Sequence, residues 1–338
     1  MPARINLALQ GGGAHGAFTW GVCDRLLREP EVEIAGISGT SAGAMNGAAI
    51  KAGLSQGSRD LARENLEWLW QQVSRIGDLR LTTWMQPFVP GAGAVAAAIE
   101  SSPGWAFWDA ASRSVSPYAY GPFYRNPLQS IAERFRYDAV CARTGPAFFV
   151  CATNVRTGKI RVFPAEEVTP QALLASACLP TLFRAVEIEG EAYWDGGYTG
   201  NPALFPLFDH ALPDDVTIVN INPIERRDVP VTAPEIHNRI NEISFNTSLL
   251  RELRAIDFVQ RLIADGKVAD GAMKDVKVHM IADDDLMGRL NVATKTVPTP
   301  LVLGPLRAAG EAAAERFLDR HLGDLGVRGT VDLREMFG

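Results

Sequence analysis

The sequence predicts one large α/β domain with a mainly parallel central sheet. A chain of 338 residues, of which 47% are hydrophobic, can build a large core. Short apolar runs of strand length alternate with helical patterns along most of the chain. The first strand, its helix and the second strand take roughly thirty-four residues, the usual size of a βαβ unit, whose right-handed crossover makes the two strands parallel neighbours. We therefore expect a single domain over residues 1–338.

The charge distribution and the cysteines exclude several classes of partner. The formal net charge is −6 and the basic residues are scattered, so we expect no nucleic-acid partner and no polybasic membrane tether. No secretory signal and no apolar run of membrane-spanning length is visible, which predicts a cytoplasmic protein. The four cysteines lack C-x-x-C spacing, so we expect reduced core residues rather than disulfides or metal ligands.

The first predicted strand, residues 5–9, ends in a glycine-rich loop. The loop reads Gln10-Gly11-Gly12-Gly13-Ala14-His15-Gly16, and a helical pattern follows it. The backbone N–H groups of Gly11, Gly12 and Gly13 are unobstructed by side chains, so they can converge on the oxygen of an ester under attack. We expect this loop to form an oxyanion hole.

The second predicted strand ends in Gly39-Thr40-Ser41-Ala42-Gly43, which has the spacing of a nucleophile elbow. Glycines two positions on either side of Ser41 let the strand and the following helix approach closely. The helix N-terminus then points at the Ser41 hydroxyl and favours negative charge there, with the Ala42 N–H helping to hold an oxyanion. The plainer interpretation is that Thr40 or Ser41 only caps the helix. Because the first two strands are parallel neighbours, the glycine loop is expected beside Ser41.

The glycine loop also has a rival interpretation. Gly11-x-Gly13-x-x-Gly16 after a strand is a dinucleotide fingerprint, with Glu31 or Glu33 at about the right distance to bind a ribose. Against this, the next strand ends in an elbow where a dinucleotide-binding fold would place an acidic residue. A non-catalytic nucleotide-binding domain therefore stays as an alternative.

Residues 79–127 differ in character from the helical pattern over residues 54–76 that precedes them. They are rich in proline, glycine and aromatic residues and show little periodicity. We interpret them either as a plain surface insertion or as a lid or acyl-chain pocket over Ser41, because amphipathic aromatics suit a surface that receives lipid. The aromatics around Trp105 also suggest weak, peripheral contact with a membrane surface.

The sheet is predicted to resume with strands over residues 147–152 and 159–163, a helix over residues 170–176 and a hairpin over residues 186–194. The hairpin ends at Asp195, which two glycines follow. Asp-Gly-Gly at a strand end is most often a simple turn. Its functional interpretation is a carboxylate that approaches the elbow closely and accepts the proton of the serine hydroxyl as general base.

Four blocks in a fixed order give the chain a family resemblance. They are Gly11-Gly12-Gly13-Ala14-His15-Gly16, Gly39-Thr40-Ser41-Ala42-Gly43, Ala175-Ser176-Ala177-Cys178-Leu179-Pro180 and Asp195-Gly196-Gly197. This set resembles the patatin-like phospholipases over roughly the first 200 residues. The resemblance implies a three-layer α/β/α sandwich and a Ser–Asp dyad that cleaves acyl esters of lipids without a histidine.

The family's functional residues carry over onto matching positions. The resemblance places the nucleophile on Ser41, the acid on Asp195 and the oxyanion hole on the first glycine block. One position departs from the family pattern, because His15 stands where the family often has arginine or lysine. This departure leaves the source of a fixed positive charge beside the oxyanion loop open, and with it a preference for anionic headgroups.

The remainder of the chain is predicted to complete the fold. Residues 232–338 are interpreted as a C-terminal helical extension plus the last strand, residues 276–281. Thr232 and Glu235 have capping-box spacing and open a long helix. Its apolar residues recur at helical intervals and are predicted as core contacts: Ile236, Ile240, Ile243, Leu250, Leu253 and Ile256. Further predictions are a strand over residues 216–221, a helix over residues 306–322 and a solvated acidic loop, not a metal site, at residues 283–285.

Three functional hypotheses follow. The first is a serine acyl hydrolase acting on a lipid or small acyl ester through Ser41 and Asp195, with no cofactor and no metal. The second is an α/β-hydrolase with a Ser41–Asp195–His210 triad, although such enzymes normally lay down several strands before the serine. The third is the nucleotide-binding domain described above.

Overall fold

A computed structural model of the chain describes residues 2–76, 116–269, 271–290 and 292–337. Its strands are β1 (Ala3–Leu9), β2 (Val32–Thr40), β3 (Ala147–Asn154), β4 (Ile160–Pro164), β5 (Val186–Ile188), β6 (Glu191–Asp195), β7 (Asp215–Val219) and β8 (Lys277–Ile281). The first three helices are α1 (Gly16–Arg28), α2 (Ala42–Leu54) and α3 (Arg59–Ile76). They are followed by α4 (Gln129–Ala132), α5 (Tyr137–Val140), α6 (Pro170–Ser176), α7 (Ala233–Ala264), α8 (Asp284–Gly288), α9 (Val292–Thr296), α10 (Pro300–His321) and α11 (Leu333–Phe337).

One sheet contains all the strands of the described residues. Its order is β5-β6-β3-β2-β1-β7-β8, with β4 also paired to β3. The pairs from β3 through β2, β1 and β7 to β8 are parallel, and the pairs β3–β4, β3–β6 and β5–β6 are antiparallel. The predicted mainly parallel sheet is therefore confirmed, and β1 and β2 are the parallel neighbours that the βαβ argument requires.

Two apolar cores lie on opposite faces of this sheet and make the molecule three-layered. The larger core joins the sheet to α1, α2, α3, α6 and α10. The smaller core joins β7 and β8 to α7 and to the C-terminal helix α11. The α/β/α sandwich expected from the family resemblance is thus the observed architecture.

Strand register brings the functional loops to one edge of the sheet. β1 and β2 are parallel, so the glycine loop after Leu9 and the elbow after Thr40 leave the same edge. Thr40 pairs with Cys151 on β3, and the next β3 residue, Ala152, pairs with Asp195 on β6. The last residue of β6, Asp195, therefore lies beside the elbow, although more than 150 residues separate it from Ser41 along the chain.

Helix boundaries differ from the prediction after the elbow. The predicted helix over residues 54–76 begins later, because α2 runs to Leu54 and a turn through Gly57 at φ +75° separates it from α3. Residues 79–115 of the predicted insertion lie outside the described residues. Its last part contains a 3₁₀ helix, Pro117–Phe123, whose carbonyl oxygens accept hydrogen bonds from Arg184.

The first half of α7 corrects the predicted core. Its capping box forms as expected. Ile236, Ile240 and Ile243, however, are 42%, 57% and 53% exposed, so their prediction as core contacts is wrong. The buried face is polar instead and consists of Asn238, Glu242 and Asn246. Further along the helix Leu253 and Ile256 are buried as predicted.

The cysteines lie mainly in the core, as predicted. All four cysteines are free thiols, and three of them are buried while Cys141 is half-buried. Within the described ranges, none of the helices combines the length and the apolar character needed to span a bilayer.

Candidate active site

Ser41 stands on a sharp turn between β2 and α2. Its backbone adopts φ 55° and ψ −120°, a conformation that non-glycine residues rarely take. The two elbow glycines are sterically required. A Cβ atom on Gly39 would lie 2.6 Å from the Gly43 carbonyl oxygen, and one on Gly43 would lie 2.1 Å from that of Leu9. The predicted elbow is therefore a tight crossing of backbones that leaves the serine at its apex.

Hydrogen bonds from two other segments hold the elbow in place. The Ser41 N–H donates to the hydroxyl oxygen of Ser176, which is buried on α6, at 2.8 Å. The Thr40 hydroxyl donates to the Gly200 carbonyl oxygen at 2.6 Å. These bonds stabilise an otherwise unfavourable backbone conformation and fix the direction of the serine side chain.

Asp195 meets the elbow from the end of β6. Its carboxyl group is buried, and the Gly197 N–H donates to its Oδ1 at 2.7 Å. Burial raises the pKa of Asp195 to about 7, partly offset by hydrogen bonds from the Gly197 N–H and the Ser41 hydroxyl. The structure thus brings together the two side chains that the sequence suggested as nucleophile and base.

The turn after Asp195 is tightly packed. A Cβ atom on Gly196 would lie 2.3 Å from the Cys151 carbonyl oxygen, and one on Gly197 would lie 3.0 Å from the Asp195 Oδ1 atom. Gly196 is therefore needed for the turn to pass close to β3, and a side chain at Gly197 would crowd the Asp195 carboxylate. Gly16 has the same role on the other side, since its Cβ would lie 2.6 Å from that of Ala42.

The glycine loop supplies backbone donors to the same place. Gly11, Gly12 and Gly13 line a small cavity of about 40 Å³ together with Ser41 and Asp195. The Gly11 N–H is already used, because it donates to Asn201 Oδ1 at 2.6 Å. In the part of the chain that the structure describes, the N–H groups of Gly12 and Gly13 have no acceptor. The Ala42 N–H, at the first position of α2, has none within the helix.

Several polar residues that support the loop were not identified from the sequence. The Gln10 side-chain amide donates to Asn246 on α7, and its oxygen accepts from the N–H groups of Ile221 and Asn222. The Asn222 side chain in turn donates to the Gly11 carbonyl oxygen at 2.8 Å. The only sequence signal for this network is a polar residue, Asn222, just beyond the end of the apolar strand β7.

A larger, apolar cavity opens beside the serine. It measures about 340 Å³, within the range of small-molecule sites. Its apolar lining comes from α2, α3 and the segment after α6, and Pro127 at the end of the predicted insertion also contributes. These residues include Met45, Leu69, Trp70, Val73, Leu179, Leu182 and Phe183. Trp70 is fixed by donating from its indole nitrogen to Asn46 at 2.9 Å.

His15 does not supply a positive charge to the loop. Its side chain is buried, with Nε2 at 2.8 Å from the Thr294 hydroxyl. Burial, together with the nearby charge of Lys295, holds the pKa of His15 well below its usual range. The imidazole is therefore neutral at physiological pH.

The geometry does not support the two alternative sites. His210 is exposed and lines neither cavity; its loop packs through Leu212 against Gly36, away from the end of β2 that bears Ser41. Glu33 pairs with Arg4 at the amino end of β2, the opposite end from the glycine loop. His210 is thus not placed to complete a triad with Ser41 and Asp195, and Glu33 is not placed to bind a ribose beside the glycine loop.

Residues 283–285 were predicted as an acidic loop, but they form the N-cap and the first turn of the short helix α8. The Asp283 carboxylate accepts from the Leu286 N–H and caps α8. Among the described residues, His, Cys, Asp and Glu side chains form no group of three suited to a metal ion.

Comparisons with known proteins gave a family match and two similar solved structures. A family model described as patatin-like phospholipase matches residues 7–208. The solved structure of VipD from Legionella pneumophila is similar to this chain, with 15% identity, a TM-score of 0.44 and coverage of 95% of this chain and 67% of that chain. A second similar structure is the ExoU–SpcU complex from the type III secretion system of Pseudomonas aeruginosa, with 17% identity, a TM-score of 0.32 and coverage of 98% and 73%. A search of curated proteins gave no significant match.

Proposed function

The chain belongs to the patatin-like phospholipase family, and on this basis we propose that it hydrolyses acyl esters of lipids through a Ser41–Asp195 dyad. The observation that best supports the proposal is the approach of a buried carboxylate to a serine on a strained elbow, in a cavity lined by glycine N–H groups. Each of the three parts is needed for acyl transfer, and each comes from a different strand end.

Acylation begins with proton transfer from the Ser41 hydroxyl to Asp195. The serine oxygen attacks the ester carbonyl carbon, and the carbonyl oxygen takes the negative charge. The free N–H groups of Gly12, Gly13 and Ala42, together with the N-terminal end of α2, stabilise that oxyanion. When the tetrahedral intermediate collapses, the bond to the alcohol oxygen breaks and Asp195 returns its proton to the leaving alcohol.

Deacylation repeats these steps with water. Asp195 accepts a proton from the water molecule, whose oxygen attacks the acyl carbon of the Ser41 ester. The same donors hold the second oxyanion, and the proton on Asp195 passes to the serine oxygen as the fatty acid leaves. A pKa near 7 suits a group that must both accept and return a proton at neutral pH.

The substrate's acyl chain is assigned to the apolar cavity of about 340 Å³ that opens beside Ser41. Residues that line this cavity bury the methylene groups of the chain, at about 0.8 kcal/mol for each one removed from water. The scissile carbonyl then lies at the junction with the smaller cavity that contains the glycine loop. This arrangement favours long-chain over short-chain esters.

A fluorophosphonate probe tests the nucleophile directly. We expect the purified protein to be labelled at Ser41 and to hydrolyse p-nitrophenyl butyrate, while Ser41→Ala shows neither reaction. Ser74→Ala, which changes a serine outside both cavities, is the matched control and should behave like the wild type. A wild-type protein that is folded but unlabelled would contradict the proposal.

The same ester assay separates the dyad from the triad. Asp195→Asn should reduce hydrolysis by about a thousandfold or more, the usual scale for loss of a general base acting with a nucleophile. His210→Ala should retain most of the activity, because His210 is exposed and remote from the cavities. Loss of activity in His210→Ala would favour the triad instead.

A further inference from the structure

Lys295 brings an ammonium group to the candidate active site from outside the region that matches the family. It lies on the short helix α9, which packs directly on the glycine loop: a Cβ atom on Gly13 would lie 2.3 Å from the Lys295 carbonyl oxygen. Lys295 lines both the larger apolar cavity and the small cavity beside Ser41 and Asp195. It therefore stands where an acyl chain and a reacting ester would meet.

The ammonium group is held by a neutral partner. Lys295 Nζ donates to Asn222 Oδ1 at 3.0 Å. The Asn222 amide cannot rotate away, because its Nδ2 group donates to the Gly11 carbonyl and to Gln10 Oε1. The side chain of Lys295 is thus fixed toward the glycine loop by the same network that supports that loop.

Within the described ranges, no carboxylate oxygen lies within ion-pair distance of Lys295 Nζ. Glu242 influences Lys295 electrostatically, but its carboxylate is bound by Arg226 and Arg239. Burial lowers the pKa of Lys295 to about 8, so the group is still mostly protonated at neutral pH. A partly buried ammonium without a counter-ion is costly, and an incoming anion removes that cost.

Other charges do not take this role. Of the charged side chains in the described part of the chain, only Asp195 and Lys295 line the two cavities. His15, at the position where the family often has a basic residue, is neutral as described above. The electrostatic character of the site toward substrate therefore depends on Lys295.

We propose that Lys295 binds the phosphate of a phospholipid substrate and so selects phosphate-bearing acyl esters over neutral glycerides. With the acyl chain in the apolar cavity and the carbonyl at Ser41, the alcohol part of the ester extends past Gly13 toward Lys295. In a glycerophospholipid that part bears the phosphate, whose oxygens accept charge-assisted hydrogen bonds from an ammonium group. This inference rests on the proposed function and names the residue that sets its substrate class.

The first test compares two esters that differ only in the phosphocholine group on the glycerol. Lysophosphatidylcholine and a monoacylglycerol of the same acyl chain are presented in the same neutral detergent micelles. For Lys295→Met, we expect kcat/KM on lysophosphatidylcholine to fall by about tenfold or more, as for loss of one charge-assisted hydrogen bond. The value on the monoacylglycerol should change by less than about threefold, and Lys295→Arg should restore most of the preference.

Two results would overturn the assignment. An equal loss on both esters would mean that Lys295 acts on the shared chemistry or on folding, and no loss on either would mean that it does not contact the phosphate. Thermal unfolding of Lys295→Met alongside the wild type identifies a folding defect.

A binding experiment gives an answer even if the proposed hydrolysis fails. In a Ser41→Ala background, dodecylphosphocholine, 1-O-dodecylglycerol and sodium dodecanoate are titrated and followed by tryptophan fluorescence, since Trp70 lines the apolar cavity. Adding Lys295→Met should weaken the binding of dodecylphosphocholine by about tenfold and leave the affinity for 1-O-dodecylglycerol unchanged. Unchanged phosphocholine binding, or a loss confined to dodecanoate as expected for a site that holds the fatty-acid product, would overturn the phosphate assignment.

Discussion

Asp195 combines two properties that rarely occur together in one carboxyl group. It is almost fully buried, yet among the residues that the structure describes no basic side chain pairs with it, and its polar contacts are the Gly197 N–H and the Ser41 hydroxyl. Desolvation is therefore the dominant effect and raises its pKa to about 7. The protonation state of this single residue should govern the reaction near neutral pH.

The pH dependence of hydrolysis follows from that pKa. A general base must be ionised to accept the serine proton, so kcat/KM should rise as pH increases through about 7 and level off above it. An unperturbed aspartate would give the same rise near pH 4. The measurement is hydrolysis of p-nitrophenyl butyrate between about pH 5 and about pH 9, with product detected at a fixed pH after quenching. A flat profile down to about pH 5 would contradict the role assigned to Asp195.

The helix α7 illustrates how one element can serve two faces with different chemistry. Its second half packs Leu249, Leu253 and Ile256 against β7 and β8 in the smaller core. Its first half turns Asn246 toward the ends of β1 and β7, where that side chain donates to the Asn222 and Pro223 carbonyl oxygens. The isoleucines of the first half are left on the outer face.

This division predicts a large effect on stability for one alanine substitution in α7 and a small effect for a similar one. Leu253→Ala should lower the free energy of unfolding by about 2 to 5 kcal/mol, because Leu253 is fully buried and its loss leaves a cavity. Ile240→Ala should change it by less than about 0.5 kcal/mol, because that side chain is 57% exposed. Urea unfolding monitored by circular dichroism gives both values, and a large loss in Ile240→Ala would show that its face is covered.

The contrast within α7 also shows what the sequence could and could not predict. Strands, the capping box and the elbow are local patterns, and the structure has them within a few residues of the predicted positions. Hydrophobic periodicity failed for Ile236, Ile240 and Ile243 because the buried side of the helix is a polar network, which periodicity cannot recognise. Asn246 on the buried side of the first half of α7 contacts Gln10 and Asn222, which follow β1 and β7. Which side of the helix is buried therefore depends on tertiary contacts.

The candidate site divides in the same way. Ser41 and Asp195 stand in short motifs whose residue types indicate their chemistry. Asn201 and Lys295 approach the site from distant parts of the chain, and their contacts have no signature in sequence. Ser176 stands in the third block of the family resemblance, but its hydrogen bond with the Ser41 N–H was not predicted. Gly11 was predicted as an oxyanion donor, but Asn201 accepts its N–H, a competitor that only the tertiary structure reveals.

At the scale of the whole molecule, the C-terminal segment closes the outer edge of the sheet. The N–H groups of Thr330 and Val331 donate to the Val278 carbonyl oxygen on β8, and the Gly326 N–H donates to Asp215 Oδ1 at 2.7 Å. The same carboxylate oxygen lies 2.9 Å from Nε2 of the buried His279. One side chain at the start of β7 thus joins the last two parallel strands to the tail.

Adjacent aspartates allow a matched test of this closure. Asp215→Ala removes two partners at a buried position and should lower the free energy of unfolding by about 2 to 4 kcal/mol. Asp214→Ala removes a half-exposed charge next to it and should cost less than about 1 kcal/mol. Thermal unfolding checks both, and hydrolysis per folded molecule should be unchanged, since Asp215 lies at the amino end of β7. Equal costs for the two variants would show that the tail is not anchored there.

The position of β1 between β2 and β7 has a consequence for protein synthesis. Ser41 is translated early, but β7 (Asp215–Val219), which pairs with the other side of β1, comes only in the second half of the chain, and the helix α10, which packs on α1, comes in its final third. Until then the nascent polypeptide exposes the unpaired edge of β1 and the apolar face of α1. Such surfaces are binding sites for chaperones. We therefore expect hydrolytic activity to develop only when translation is almost complete. A prematurely terminated chain should aggregate and show no hydrolysis.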